Sequence, residues 1–248
     1  MPAFRHSASL RTDLLELDVQ MTLDNQIVVF HDDRLGRMCG PEFKDRKISE
    51  YTFIDLPRLK VPLHLSTQDT VVSNQDSYRI PLLSQIFTEF PGYPIQIDVK
   101  SGSEDMIRQV GNMIIDDKRQ NITIWGSFRQ SQHTYCVQHF GVTIPIFFSA
   151  SRLFMYRFLY SLGLQNQMNI YESAAIMPNF TFLMNKGFIE NLNTRGVSVI
   201  VFGGDGSGSI DSESKWKICQ ESGANGICSN SPTQLKEWLA VNKLNMIL

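Results

Sequence analysis

Short apolar runs rich in strand formers recur about every 25 residues, each followed by a longer segment of helical character; no other feature constrains the fold as tightly. The runs are Ile95 to Val99, Ile122 to Trp125, Ile144 to Phe148, a weaker Ala174 to Met177, Val197 to Phe202 and Gly226 to Cys228, preceded by an N-terminal hairpin. Helices are predicted near Ser103 to Lys118, Phe128 to Phe140, Arg152 to Ser161, Thr181 to Thr194, Glu213 to Glu221 and Pro232 to Asn242. A parallel strand followed by a crossover helix accounts for this spacing. Nothing between the segments reads as a linker, repeat or low-complexity tract, so residues 1–248 are expected to form one α/β domain close to a (β/α)8 TIM barrel. Counting the first arm of the hairpin gives seven barrel strands, and no segment before Leu14 is long or apolar enough to supply an eighth.

The hairpin, LLELDVQMTLDNQIVVFHDD beginning at Leu14, brings carboxylates and an imidazole together. Asp24-Asn25 is predicted as a two-residue turn, pairing Leu23 with Gln26, Val19 with Phe30 and Asp18 with His31. Directly paired residues share a face, and Glu16 joins them because strand side chains alternate with a period of two. Carboxylate oxygens suit a hard cation such as Mg²⁺ or Ca²⁺, and an imidazole beside them suits proton transfer near neutral pH. Taken alone, the segment reads as an ordinary polar surface hairpin. Asp98 and Lys100, in IQIDVK, share a face by their i, i+2 spacing at the end of a barrel strand, where barrel chemistry gathers. Asp98 could complete a cation site begun by Glu16 and Asp18, and Lys100 could hold a phosphate oxygen; a strand-end salt bridge accounts for the pair equally well.

A net charge of -2 gives no electrostatic reason to expect a nucleic-acid partner. Cys39, Cys136, Cys219 and Cys228 lack metal-site or redox spacing and read as reduced thiols in a cytosolic setting. The N-terminal MPAFRHSASLRTD is not a secretory signal, so Asn121-Ile-Thr and Asn179-Phe-Thr are expected to go unglycosylated. No apolar run reaches transmembrane length. The stretch Ile144 to Leu164 reads as a buried strand and a core-facing helix, although its aromatics and spaced Arg152 and Arg157 also suit an interfacial helix in peripheral membrane contact. The Gly203 to Gly208 run, GGDGSG, fits neither a dinucleotide fingerprint nor a P-loop and is expected to be a flexible rim loop.

Read in order, LLELDVQMTLDNQIVVFHDD, IPLLSQIF, IQIDVK and GICSNSPTQL resemble the glycerophosphodiester phosphodiesterase family, and most of all its animal branch acting as lysophospholipase D. The similarity continues through ITIWGS and IPIFFS and covers essentially the whole chain. It implies that Glu16, Asp18 and Asp98 bind a divalent metal, Mg²⁺ or Ca²⁺, with Asp98 standing where the family usually has a glutamate. It further implies that His31 is one of two catalytic histidines and that Lys100 contacts phosphate in cleavage of a lysophospholipid or glycerophosphodiester.

Family members begin with a strand ending in H-R-G and a loop with E-N-T, whereas here MPAFRHSASLRTD aligns with the helix that follows. His6 is the upstream histidine, at a position matched inside that helix. His64, His133 and His139 fall in loop or helix segments and read as surface or helix-packing residues. Loss of a general acid or base typically costs about 10²–10⁴ in rate, so weak or absent turnover is expected. The alternative is a catalytically silent relative that binds lipids or a partner, and a subordinate rival is a sphingomyelinase D-type phosphodiesterase. The family implies endomembrane association through an upstream apolar segment, so the expected location is cytoplasmic or endomembrane-associated.

Overall fold

The computed structural model describes residues 1–60, 78–100, 102–204 and 208–242. Seven strands, β1 (Leu15–Met21), β2 (Ile27–Val29), β3 (Ile95–Val99), β4 (Thr123–Gly126), β5 (Ala174–Pro178), β6 (Ser198–Phe202) and β7 (Gly226–Cys228), alternate with nine helices among these residues. The helices are α1 (Pro2–Ser9), α2 (Gly36–Cys39), α3 (Leu83–Glu89), α4 (Glu104–Asp116), α5 (Gln130–Phe140), α6 (Ala150–Ser161), α7 (Lys186–Thr194), α8 (Glu213–Ser222) and α9 (Pro232–Asn242). The strands form two sheets, β2-β1-β3-β4 and β5-β6-β7, in which all neighbours except β1 and β2 are parallel. No helix among the described residues is long and apolar enough to cross a membrane.

Residues 144–148, expected as a regular strand, instead join the two sheets through single parallel bridges, Trp125 with Ile146 and Phe147 with Ala174. Pro145 is one reason, since it can accept from Trp125 N (2.9 Å) but has no N–H to return. Counting this segment, seven staves run round a partial barrel. Alternation sets its layers. Leu15, Leu17 and Val19 of β1 pack outward with Ile95, Ile97 and Val99 of β3 against Leu83, Ile86, Met106 and Ile107 of α3 and α4. Glu16 and Asp18 therefore face the interior, level with Gln96 and Asp98 in the parallel register. The opposite interior wall is apolar, built from Phe147, Ala174, Ile176 and Ile200.

The barrel is open between β7 and β1. Among the described residues no strand pairs with the free side of β7, nor with residues 15–17 on the side away from β3. The helical layer nevertheless crosses this seam: α1 meets α9 through His6 Nε2 and Thr233 Oγ1 (2.9 Å), and α3 through Arg5 Nη2 and Glu89 Oε2 (2.9 Å). Lys236 of α9 also donates to the Leu10 carbonyl. Beneath α1 lies a cavity of about 540 Å³ lined by Phe4, Ser7, Leu15, Glu16, Ile227 and Cys228, among others. At about 30 Å³ per water this is far larger than a packing defect, and its lining residues 14–16 and 226–229 place it along the open seam between β7 and β1.

The predicted hairpin register is one residue off. Val19 pairs with Val29 and Met21 with Ile27, and Phe30 N donates to Asp18 O (3.0 Å), so Phe30, not His31, lies opposite Asp18. The turn has three residues, Leu23, Asp24 and Asn25, because Thr22 N closes on Gln26 O (3.0 Å). Asn25 takes the left-handed conformation (φ 60°) that this loop length requires and that asparagine tolerates. Helix positions otherwise match the predicted segments to within a few residues, except that α7 starts at Lys186, where the Asn185 side chain accepts from Phe188 N (2.9 Å).

Candidate active site

The carboxyl ends of parallel strands gather at one end of the barrel, and a cleft of about 410 Å³ opens there, lined by His31, Asp32, Asp98, Lys100, Ser127 and Arg129 together with Asp33 and Phe128. Asp98, one residue from the end of β3, is 2% exposed and Asp18 beside it 6%. The Lys100 ammonium stands between them, 3.1 Å from Asp18 Oδ1 and 3.2 Å from Asp98 Oδ2. Burial opposes the charge on Lys100, but the two carboxylates outweigh it and hold its pKa above the ordinary lysine value. Burial dominates at Asp98, raising its pKa to about 6 despite the ammonium.

Glu16 is not on the cleft wall. It lines the seam cavity with Gln96 and His6, and its carboxyl is pushed up to about 8, first by burial and then by Asp18 and Asp98. The three predicted cation ligands thus face one interior and feel one another. Among the described residues, however, no three His, Cys, Asp or Glu side chains already form a cation cage. The donor chemistry still fits a hard cation: the set is all carboxylate oxygen, Asp98 Oδ1 and the neighbouring Gln96 Oε1 are buried with no hydrogen-bond partner, and the negative charge exceeds what Lys100 balances.

His31 reaches the cleft by a route the strand pattern does not contain. Beyond Phe30 the chain leaves the ladder, and Gln20, inward-facing on β1, pins it by donating from Nε2 to the carbonyls of Phe30 (3.0 Å) and Asp32 (2.7 Å). His31 Nδ1 donates to Asp32 Oδ1 (2.8 Å), which leaves Nε2 for the cleft. Arg37 binds the same carboxylate in a fork, Nε to Oδ2 at 2.6 Å and Nη2 to Oδ1 at 2.7 Å. Burial would raise the Asp32 pKa, but the bonds from Arg37 and His31 prevail and hold it below the usual carboxylate range. Sequence reasoning missed Asp32, Arg37, Gln20 and Arg129. The His31-Asp32 adjacency was the available signal, hidden because neighbours in a strand point to opposite faces.

The remaining histidines take other roles. His133 is buried against Tyr171 (Nε2 to Oη 3.2 Å), His139 pairs with Glu104 (2.6 Å), and His64 lies outside the described residues, as does part of the Gly203 to Gly208 run.

A TIM-barrel-like α/β fold with a hydrogen-bonded histidine and aspartate, paired acidic residues and two cationic side chains at the strand ends suits the hydrolysis of phosphate esters. The glycerophosphoryl diester phosphodiesterase family model matches residues 1–234, and the chain belongs to that family; it is a phosphoric diester hydrolase. It is 29% identical over 263 aligned positions to lysophospholipase D GDPD1 of Rattus norvegicus, covering 96% of this chain and 81% of that protein. The figures for lysophospholipase D GDPD3 of Homo sapiens are 29%, 96% and 80%. A glycerophosphoryl diester phosphodiesterase domain from Mycobacterium tuberculosis shares the fold, with a TM-score of 0.72 at 13% identity over 95% of this chain and 91% of that one.

Proposed function

We propose that this chain cleaves lysophospholipids or glycerophosphodiesters at the phosphodiester bond, with Mg²⁺ or Ca²⁺ held by Glu16, Asp18 and Asp98. The observation that carries the reading is the His31–Asp32 dyad set in one cleft with Lys100 and Arg129. A bound divalent cation would supply polarisation of a phosphoryl oxygen. Lys100 and Arg129 attract the phosphate and offset charge that builds on its oxygens. With Nδ1 committed to Asp32, His31 exchanges its proton at Nε2, giving it to a leaving alcohol oxygen or taking one from attacking water. Hydrolysis breaks one P–O bond and consumes one water, yielding a phosphomonoester and an alcohol.

A second reading, binding without turnover, rests on one fact: His31 is the one imidazole among the described residues lining the cleft. The test is hydrolysis of lysophosphatidylcholine with added Mg²⁺ or Ca²⁺, wild type beside His31→Ala. The substitution is expected to lower kcat by about 10²–10⁴. Wild-type protein that binds the lipid without cleaving it would establish the silent reading; turnover untouched by the substitution would remove His31 from the chemistry.

A further inference from the structure

Large apolar side chains crowd one part of the surface. Phe154, Met155 and Phe158 on α6 and Phe180 and Phe182 in the turn after β5 are each between 42% and 58% exposed. They form one face: Phe182 stacks on Phe154 (centroids 6.0 Å, 26°) and on Phe180 (5.9 Å, 26°). The face is held in place. Arg157 Nε donates to the Phe182 carbonyl (3.0 Å), and Leu183 is fully buried beneath the turn. Since β5 runs parallel in the barrel, its following turn lies at the same end as the cleft containing Asp98 and Lys100.

Three observations say what covers it. The face is a helix flank beside a tight turn, and the turn folds on itself through Leu183 N and Met184 N to Phe180 O (2.9 and 3.1 Å), so it offers no strand edge to another chain. The surrounding sequence is also almost free of acid: between Asp117 and Glu190 the single acidic residue is Glu172, buried and ion-paired to Arg152. Of the six Lys or Arg residues in the same stretch, Lys118 and Arg119 precede β4 at the other end of the barrel and Arg152 is paired with Glu172, which leaves Arg129, Arg157 and Lys186 at this end, with Lys186 3.8 Å from Glu190 of the same helix. Exposed phenylalanines with Arg129, Arg157 and Lys186 at the same end of the barrel, against Glu190 alone on the adjoining helix, match the boundary of an anionic bilayer, where rings enter the acyl edge and cations meet head groups.

We propose that the aromatic face of α6 and the turn after β5 docks on an anionic phospholipid bilayer and brings the open end of the barrel to the membrane. That lipid then reaches the cleft from the bilayer rests on the lysophospholipid reading above; docking itself does not.

The experiment is co-sedimentation of the full chain with vesicles of phosphatidylcholine alone and of phosphatidylcholine mixed with phosphatidylserine. Wild type is expected to pellet with the mixed vesicles and more weakly with the neutral ones. Phe158→Ser/Phe182→Ser is expected to bind roughly tenfold or more weakly, the scale set by losing buried phenylalanine area. The melting temperature should hold, as should hydrolysis of water-soluble glycerophosphocholine, while hydrolysis of vesicle-borne lysophosphatidylcholine falls. A milder variant, Met155→Ser, checks that the effect follows apolar area and not misfolding. Wild type left in the supernatant with both vesicles, or binding that survives the double substitution, overturns the proposal. So does light scattering that shows a dimer dispersed by Phe182→Ser without vesicle binding. Vesicle binding with no hydrolysis of either substrate upholds docking and defeats the catalytic reading instead.

Discussion

Gln20 should control both stability and the position of His31, and Gln20→Leu isolates the effect. Leucine is of similar size but cannot donate, so the carbonyls of Phe30 and Asp32, on either side of His31, both lose their Gln20 bonds. Gln20 is 5% exposed, so water cannot readily take its place. Two net bonds of about 1 kcal/mol each, plus a penalty for desolvated carbonyls, amount to about 2–4 kcal/mol. For a chain of this size each kcal/mol moves Tm by about 2–4 °C, so a drop of roughly 5–15 °C is expected by thermal denaturation. Released from its pin, His31 also leaves its setting beside Asp98 and Lys100. At a temperature well below either Tm, kcat should fall by up to about 10² while KM changes little, because geometry and not binding is lost. Gln20→Glu, which sets a carboxylate against two carbonyls, should be at least as damaging. A Tm drop under about 2 °C with unchanged kcat would refute the reasoning, since it would mean that the loop carrying His31 holds itself.

Three further outcomes follow from the site and its surroundings. Lys100→Met leaves Asp18 and Asp98 without their cation, so Tm should fall in chelator, and Mg²⁺ or Ca²⁺ should raise the variant's Tm more than the wild type's; no response in either protein would rule these carboxylates out as a cation site. Burial holds the His133 pKa below the usual imidazole value of 6.5, Glu172 partly opposing and Arg152 reinforcing the shift. The unfolded chain therefore takes up this proton first, and folding stability should decline as pH falls below about 6.5. His133→Gln should flatten that part of the urea-midpoint profile, and an unchanged slope would count against it.

The interior of this barrel is divided. On one side Phe147, Ala174, Ile176 and Ile200 fill it as in an ordinary core; on the other, Glu16, Asp18, Gln96 and Asp98 keep it polar and partly unpaired. Such a concentration of buried acid opposes stability in the absence of a cation, and it is retained at the end of the barrel where the chemistry gathers. The open seam adds to the cost, since the edges of β7 and of residues 15–17 lack a strand partner among the described residues.

What could be read from the sequence was whatever repeats locally. Period-two alternation turned Glu16, Asp18 and Asp98 inward, and the strands Ile95–Val99 and Gly226–Cys228 and the helix Pro232–Asn242 have the limits that their apolar patterns and flanking residues predict. Where residues distant in sequence must meet, only the tertiary structure decided. The hairpin slipped by one residue because Asn25 could take a left-handed conformation, and His31 entered the cleft because Gln20 bonds across the turn. Lys100 settled between carboxylates from two strands, and the phenylalanine face drew on two segments joined by stacking. The division has a physical cause: periodicity encodes which way a side chain points relative to its own backbone, whereas what it meets depends on register and packing summed over the whole chain.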